Sequence, residues 1–125
     1  MITDTNALSA FANGDLQVLH LLKQASQMAI PVVVLGEYRF GIAQSRKRYE
    51  YELWLKETLP RCRVLEIIQE TTVWYADVRA KLKRAGNPIP SNDLWIAALC
   101  LQHNLPLLSR DRHFDHVAGL RRISW

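Results

Sequence analysis

The stretch "SNDLWIAALCLQHN", residues 91–104, is apolar almost all the way round the helix that it predicts. Leu94, Trp95, Ile96, Ala97, Ala98, Leu99, Cys100 and Leu101 leave no polar face. Such a helix has to be covered on every side, which places it in the centre of a layered domain. The apolar run "LPLLS" follows at once and reads as a buried strand. Similar short runs alternate with helical patterns along the chain. Alternating strands and helices, with strands apolar on both faces, argue for an α/β fold around a mainly parallel sheet.

"MITDT" predicts a short strand running into Asp4, and residues 6–12 a short helix stopped by Asn13-Gly14. Asp15 is a plausible N-cap for "DLQVLHLLKQASQ", with its stripe of Leu16, Leu19 and Leu22. "IPVVVL" reads as a strand or a lead-in to a helix over residues 35–45, with Gly36 and Gly41 marking close packing. "KRYEYELWLKETL" predicts a helix ending at Pro60, and "RCRVLEI" a strand. An amphipathic helix from about Glu70 ends at Gly86. "NPIPSND" is a loop, because Pro88 and Pro90 forbid regular pairing. Ser91 or Asn92 is the expected cap of the apolar helix. "RDRHFDHV" predicts a loop or single turn and "GLRRISW" a last strand.

One hundred and twenty-five residues suit a single domain over 1–125. Apolar residues make up 49% of the chain, and no stretch reaches the roughly 18 to 20 apolar residues of a membrane helix. The N-terminus lacks the basic and apolar segments of a secretory signal. Cys62 and Cys100, far apart, read as two buried thiols. The expectation is a cytoplasmic protein with no membrane association. Net charge is +4. The basic residues cluster at Arg46-Lys47-Arg48, at Arg79 to Arg84 and from Arg110 to Arg122. A single cluster is ordinarily a solvated helix face; three beside an acidic site favour a nucleic-acid partner.

Four carboxylates fall where charge is hard to explain structurally. Asp4 closes the first strand, and Asp111 follows "LPLLS". If these strands are neighbours, their acids meet at the strand-end crevice where open parallel sheets bind ligands. Asp93 sits in the first turn of the apolar helix, where the dipole alone accounts for roughly 0.3 to 1 kcal/mol. Glu37 interrupts the apolar "VVVLGEYRFGI". Singly each acid is ordinary. Together they repel one another unless a cation holds them, and a set of hard oxygen donors points to Mg²⁺ or Mn²⁺. Such a site activates water and steadies the leaving oxygen of a phosphodiester.

His20 lies in an amphipathic helix and His103 at a helix end, where it favours the dipole; His113 and His116, near the acidic site, lack metal-ligand spacing and are expected at the surface or facing RNA. Trp54, Trp74 and Trp95 occupy helical apolar positions and are expected in the core; Trp125 is open between packing and stacking. Tyr49, Tyr51 and Trp54 are open between interface and core.

"MITDTNALSAF", the acid in "VVVLGEYRFG" and "IPSNDLWIAALCLQHNLPLLSRDRHFDHVAGLRRI" together resemble a PIN domain, more narrowly the VapC-type toxins of bacterial toxin–antitoxin pairs. The most specific part is Ser109-Arg110-Asp111-Arg112-His113-Phe114, which matches the family's Thr or Ser–x–Asp–x–x–Phe. The resemblance implies a three-layer α/β/α fold with four or five parallel strands. It implies a Mg²⁺-dependent endoribonuclease (Mn²⁺ able to substitute), often a homodimer, held inactive by a cognate antitoxin, with transfer RNA among the expected substrates. Carried over by position, Asp4, Glu37, Asp93 and Asp111 are the metal-binding, catalytic acids, with Asp115 an alternative fourth acid. Thr5, Asn6, Ser109 and Asp115 are the implied orienting groups around them. Arg39, Arg46, Arg110 and Arg112 are the basic residues expected to hold RNA.

Two other phosphoryl enzymes fit less well. Haloacid-dehalogenase-type phosphatases need a second Asp where this chain has Asn6. Receiver domains need an early acid pair and a Lys after a late strand, which "LPLLSRD" does not offer. A non-catalytic binding module gains nothing from clustered negative charge on a nucleic-acid surface. DNA cleavage and RNA processing remain the nearest enzymatic alternatives.

Overall fold

The computed structural model describes residues 1–125. Five short parallel strands form the sheet: β1 (Ile2–Thr3), β2 (Ala29–Pro31), β3 (Arg63–Leu65), β4 (Leu107–Leu108) and β5 (Arg122–Ile123). Their order is β3-β2-β1-β4-β5. The chain steps outward from β1 through β2 to β3, then crosses to β4 on the other side. The switch point therefore lies between β1 and β4, which pair in register, Ile2 with Leu107 and Thr3 with Leu108. Asp4 and the Ser109–Asp111 segment leave neighbouring strands at the same edge, which meets the condition for their acids to share a crevice.

Six helices flank the sheet: α1 (Thr5–Ala12), α2 (Leu16–Gln24), α3 (Val32–Ala43), α4 (Arg48–Thr58), α5 (Gln69–Ala85) and α6 (Ser91–His103). Successive strand side chains point to opposite faces. Leu107 accordingly joins a 21-residue core that includes buried positions of α3, α4, α5 and α6. Leu108 joins a smaller cluster with Ala7 and Val18, covered by Leu21 and Ile123. Both faces are closed, which permits an all-parallel sheet.

The apolar helix α6 is buried over most of its surface, at Leu94, Ile96, Ala97, Ala98, Leu99 and Cys100, while Trp95 and Leu101 are half-buried. Burying Ile96 and Leu99 contributes about 1.5–3 kcal/mol each. Asn104 ends the helix in the left-handed conformation, φ 50°. Gly86 does the same for α5 at φ 75°, where a side chain would be strained. No helix is long and apolar enough to cross a membrane.

Several local expectations change. Neither Ser91 nor Asn92 caps α6; Pro90 occupies the cap position, and its carbonyl accepts the Leu94 N–H at 3.0 Å. Proline suits this place because its extended backbone leads into the first turn without needing an N–H. The β-branched run Val32–Val34 is helical, the strand having stopped at Pro31. Gly36 and Gly41 do not mark close packing: both are exposed, and an added methyl would meet nothing within 4 Å. Trp54 packs on Phe11 and Tyr38 beside the main core. Trp95 instead stacks on Tyr75 at 4.0 Å, half-buried, and Trp74 is also half-buried. Tyr49 is exposed, and Tyr51 donates its hydroxyl to Asn13 at 2.8 Å. Cys62 and Cys100 are free thiols, of which Cys100 is fully buried and Cys62 partly so.

Candidate metal centre

Asp4 is both a helix cap and a cleft residue. Its backbone is extended and its Oδ1 accepts the Thr5 N–H at 2.8 Å, so α1 begins at Thr5. Its Oδ2 accepts the Ser109 hydroxyl at 2.6 Å and the Asn6 amide at 3.4 Å. Ser109 leaves β4 beside β1, which explains how residues 105 apart in sequence meet. The carboxyl is buried, and burial raises its pKa; the Ser109 and Thr5 hydrogen bonds oppose this, and Asp111 and Glu37 add to it.

Glu37 faces the cleft from α3, half-buried. Its Oε2 accepts the Thr5 hydroxyl at 2.9 Å and its Oε1 the Asn92 amide at 2.6 Å. Asn92 is a site residue that the sequence reading assigned to a cap. The surplus of polar groups at the start of α6 was the available signal.

Asp93 is 8% exposed, and its carboxylate accepts no hydrogen bond. Burial, then the charges of Asp4 and Asp111, push its pKa to about 6; His113 opposes the shift and Glu37 adds to it. The carboxylate oxygens open onto the cleft with no protein donor, and a cation bound there would offset the repulsion from Asp4, Asp111 and Glu37.

Asp111 begins the 3₁₀ turn Arg112–His116, and its Oδ1 accepts the His113 N–H at 3.0 Å. Its own N–H donates to Ser109 Oγ at 3.0 Å. Phe114, fully buried, ties the turn to the core. The spacing in Ser109–Phe114 thus has a mechanical reason. Ser109 fastens one end to Asp4, Phe114 fastens the other, and Asp111 is held between them.

Asp115 lies apart from these acids. It is exposed, in a bidentate pair with Arg122 at 2.8 and 2.9 Å, and that guanidinium holds its pKa down. Arg122 Nη1 also donates to the Ser109 carbonyl at 3.1 Å. One guanidinium therefore bridges both ends of the segment carrying Asp111. Among the two alternatives for a fourth acid, Asp111 is the one that lines the cleft.

His113 is half-exposed, as expected of a surface residue, yet it also lines the cleft, with Nε2 3.4 Å from Asp111 Oδ1. His20, His103 and His116 lie elsewhere. The ten lining residues are Asp4, Thr5, Asn6, Ser9, Glu37, Pro90, Asn92, Asp93, Asp111 and His113, all polar or charged except Pro90.

The four predicted RNA-facing arginines are dispersed. Arg112 is exposed within the turn that carries Asp111 and His113. Arg110 gives its N–H to Asn6 Oδ1 at 3.3 Å, while its guanidinium lies 4.5 Å above the Trp125 ring and donates to the Trp125 carbonyl at 3.2 Å. Trp125 therefore does both: one side meets the Arg110 guanidinium, and the ring also packs against the cluster of Ala7, Val18 and Leu108. Arg39 lines a separate groove on α3 and α4 with Lys56 and Leu53, and Arg46 is exposed in the turn between those helices.

The donor set suits a hard divalent cation. Four carboxylates from two strand ends and two helices converge, two of them buried, and one of those has no internal partner. Oxygen donors of this kind fit Mg²⁺ or Mn²⁺. Ser109, Asn6, Thr5 and Asn92 fix the orientation of Asp4 and Glu37 before any ligand arrives.

The PIN domain family model matches residues 1–120. Ribonuclease VapC4 of Mycobacterium tuberculosis is 30% identical over 105 residues, 78% of this chain and 77% of that protein. The crystal structure of VapBC2 from Rickettsia felis, bound to a DNA fragment from its promoter, is similar with a TM-score of 0.87. Its identity to this chain is 26%, and the match covers 99% of this chain and 97% of that one. VapBC-5 from Mycobacterium tuberculosis, described as a member of the VapBC family of toxin-antitoxin systems, gives a TM-score of 0.76 at 25% identity, over 99% and 97% of the two chains. With the family model spanning nearly its whole length, and with an acid-lined cleft at the switch point of a five-stranded parallel sheet, the chain belongs to the PIN domain family.

Proposed function

We propose that this chain is a divalent-cation-dependent endoribonuclease and the toxin of a toxin–antitoxin pair. The observation that carries the reading is the meeting of Asp4, Glu37, Asp93 and Asp111 in one polar cleft, with Asp93 buried and accepting no hydrogen bond. The similarity to proteins named VapC ribonucleases and to a VapBC toxin-antitoxin structure supports the substrate and the partner.

Asp4 and Asp93 hold the cation, with Glu37 and Asp111 completing the acidic wall. A divalent cation bound there supplies Lewis acidity, lowering the pKa of water and countering phosphate charge. Ser109 and the Thr5 N–H keep Asp4 in one rotamer. Asn92 and Thr5 hold Glu37 from both sides, leaving its remaining lone pairs toward the cleft. Arg112, exposed next to Asp111, is placed to meet a phosphate that enters. Hydrolysis by water leaves a 3′-hydroxyl and a 5′-phosphate. Phe40, Tyr49 and Leu53 are exposed on α3 and α4, an apolar surface that suits a protein partner, the antitoxin or a second copy in a homodimer.

The test incubates purified protein with RNA, including transfer RNA, and with DNA, in Mg²⁺, in Mn²⁺ and in EDTA. Cutting of RNA in the cation and none in EDTA is expected. Equal cutting with EDTA sinks the cation dependence; cutting of DNA alone sinks the substrate assignment.

A further inference from the structure

The cation-binding reading above rests on oxygen donors. The cleft also presents a nitrogen. Carboxylate oxygens of Asp93 and Asp111 and a ring nitrogen of His113 all lie within 4.8 Å of one another. Donors around a first-row divalent ion stand about 2.0–2.2 Å from it, so opposite donors are separated by roughly 4.4 Å. The three atoms already approach that span. Two independent attachments hold the backbone of His113 there. The His113 N–H is bonded to Asp111 Oδ1 at 3.0 Å, and Phe114, the next residue, is fully buried. The ring nitrogen Nε2 faces the same Asp111 oxygen at 3.4 Å. Asp93, across from it, is the buried carboxylate that accepts no hydrogen bond.

We propose that His113 Nε2 is a direct ligand of the cation held by Asp93 and Asp111, making a mixed oxygen–nitrogen centre that takes Mn²⁺ in preference to Mg²⁺. Imidazole suits transition ions, whereas Mg²⁺ favours oxygen donors and sheds its water reluctantly. A surface His–Asp contact would serve the turn equally well with the ring on either side of Asp111. The ring instead lies on the Asp93 side, inside the cleft.

This assignment rests on the acid-held cation of the proposed function, so the test reads metal binding without RNA. Mn²⁺ is titrated into the purified full chain and its coordination read by electron spin-echo envelope modulation. Wild type is expected to show ¹⁴N modulation from a coordinated imidazole. H113Q is expected to lose the modulation and to bind Mn²⁺ about tenfold or more weakly, on the scale seen when groups around a metal are removed. Its Mg²⁺ affinity should change far less. D93N should lose both ions. Mn²⁺ bound without nitrogen coupling, or coupling that survives in H113Q, overturns the His113 assignment and leaves the acidic centre standing. No Mn²⁺ binding by wild type overturns both.

Discussion

The two buried aspartates of the cleft sit in opposite surroundings. Asp4, at the end of β1, accepts hydrogen bonds from Thr5, Ser109 and Asn6. Asp93, in the first turn of α6, accepts none. Both have raised pKa values, and burial is the first cause of each. The difference teaches how the work is divided. The strand end has its charge distributed over protein donors before a ligand arrives, so Asp4 joins the sheet edge together and presents a fixed carboxylate. The helix start keeps a charge with no protein donor, which in the proposed function leaves Asp93 for the cation.

The largest expected effect is on catalysis at the unbalanced end. D93N should keep the fold by circular dichroism and lose RNA cleavage by more than about 100-fold, beyond the range for groups that only orient a ligand. A variant that still cuts RNA at the parental rate removes Asp93 from the centre.

Stability separates the two acids next, because the same substitution should act with opposite signs. Without metal, D93N removes a screened repulsion worth about 1–2 kcal/mol and raises the melting temperature by about 4 °C or more. D4N should lower it: the relief of a desolvated charge is outweighed because an amide cannot accept from both Thr5 and Ser109 and leaves a buried donor unsatisfied, at about 1–3 kcal/mol. Shifts of the same sign in calorimetry would erase the contrast.

The pH dependence sharpens it further. The Asp93 pKa of about 6 lies above the usual 3.8, so the folded chain binds more protons between those values. Metal-free stability should therefore decline as pH rises through that window, and D93N should flatten the decline. Saturating Mn²⁺ should reverse the slope, since the cation needs the deprotonated acid. Denaturant titrations across the window read all three curves.

The smallest effect concerns the loop opposite Asp93. Arg122 spans Ser109 and Asp115, so R122K should keep the charge but lose the bidentate bridge. Cation affinity should drop by no more than about tenfold, as for outlying supports of a metal ligand. Isothermal titration showing no change would remove Arg122 from the support of Asp111.

Most of the architecture was legible in the chain. The all-apolar α6 and the apolar runs before Asp4 and Ser109 announced an α/β core, and Gly86 ended α5 as read. Other features were illegible for definite reasons. The run Val32–Val34 carries β-branched residues that favour strands, but the strand stops at Pro31, Val32 is exposed, and only Val34 is anchored in the main core from the helix. Asn92 looked like a cap because caps and carboxylate partners use the same amide chemistry. The contact of Arg110 with Trp125 was invisible because the two residues are 15 positions apart and meet only through the pairing of β4 with β5.

The sequence alone determined the strand-and-helix alternation and the buried central helix, and it singled out the four acids that meet in the cleft, because apolar periodicity and charge in apolar surroundings are local signals. Only the tertiary structure put Asp111 in the cleft and Asp115 outside it, brought Asn92 to Glu37 and turned His113 toward Asp93. Those choices depend on which strand ends become neighbours and on which side of a short turn each side chain emerges. Arg122 and Ser109 settle this from 7 and 105 residues away along the chain from the acids they hold. No local pattern encodes a contact over such a distance.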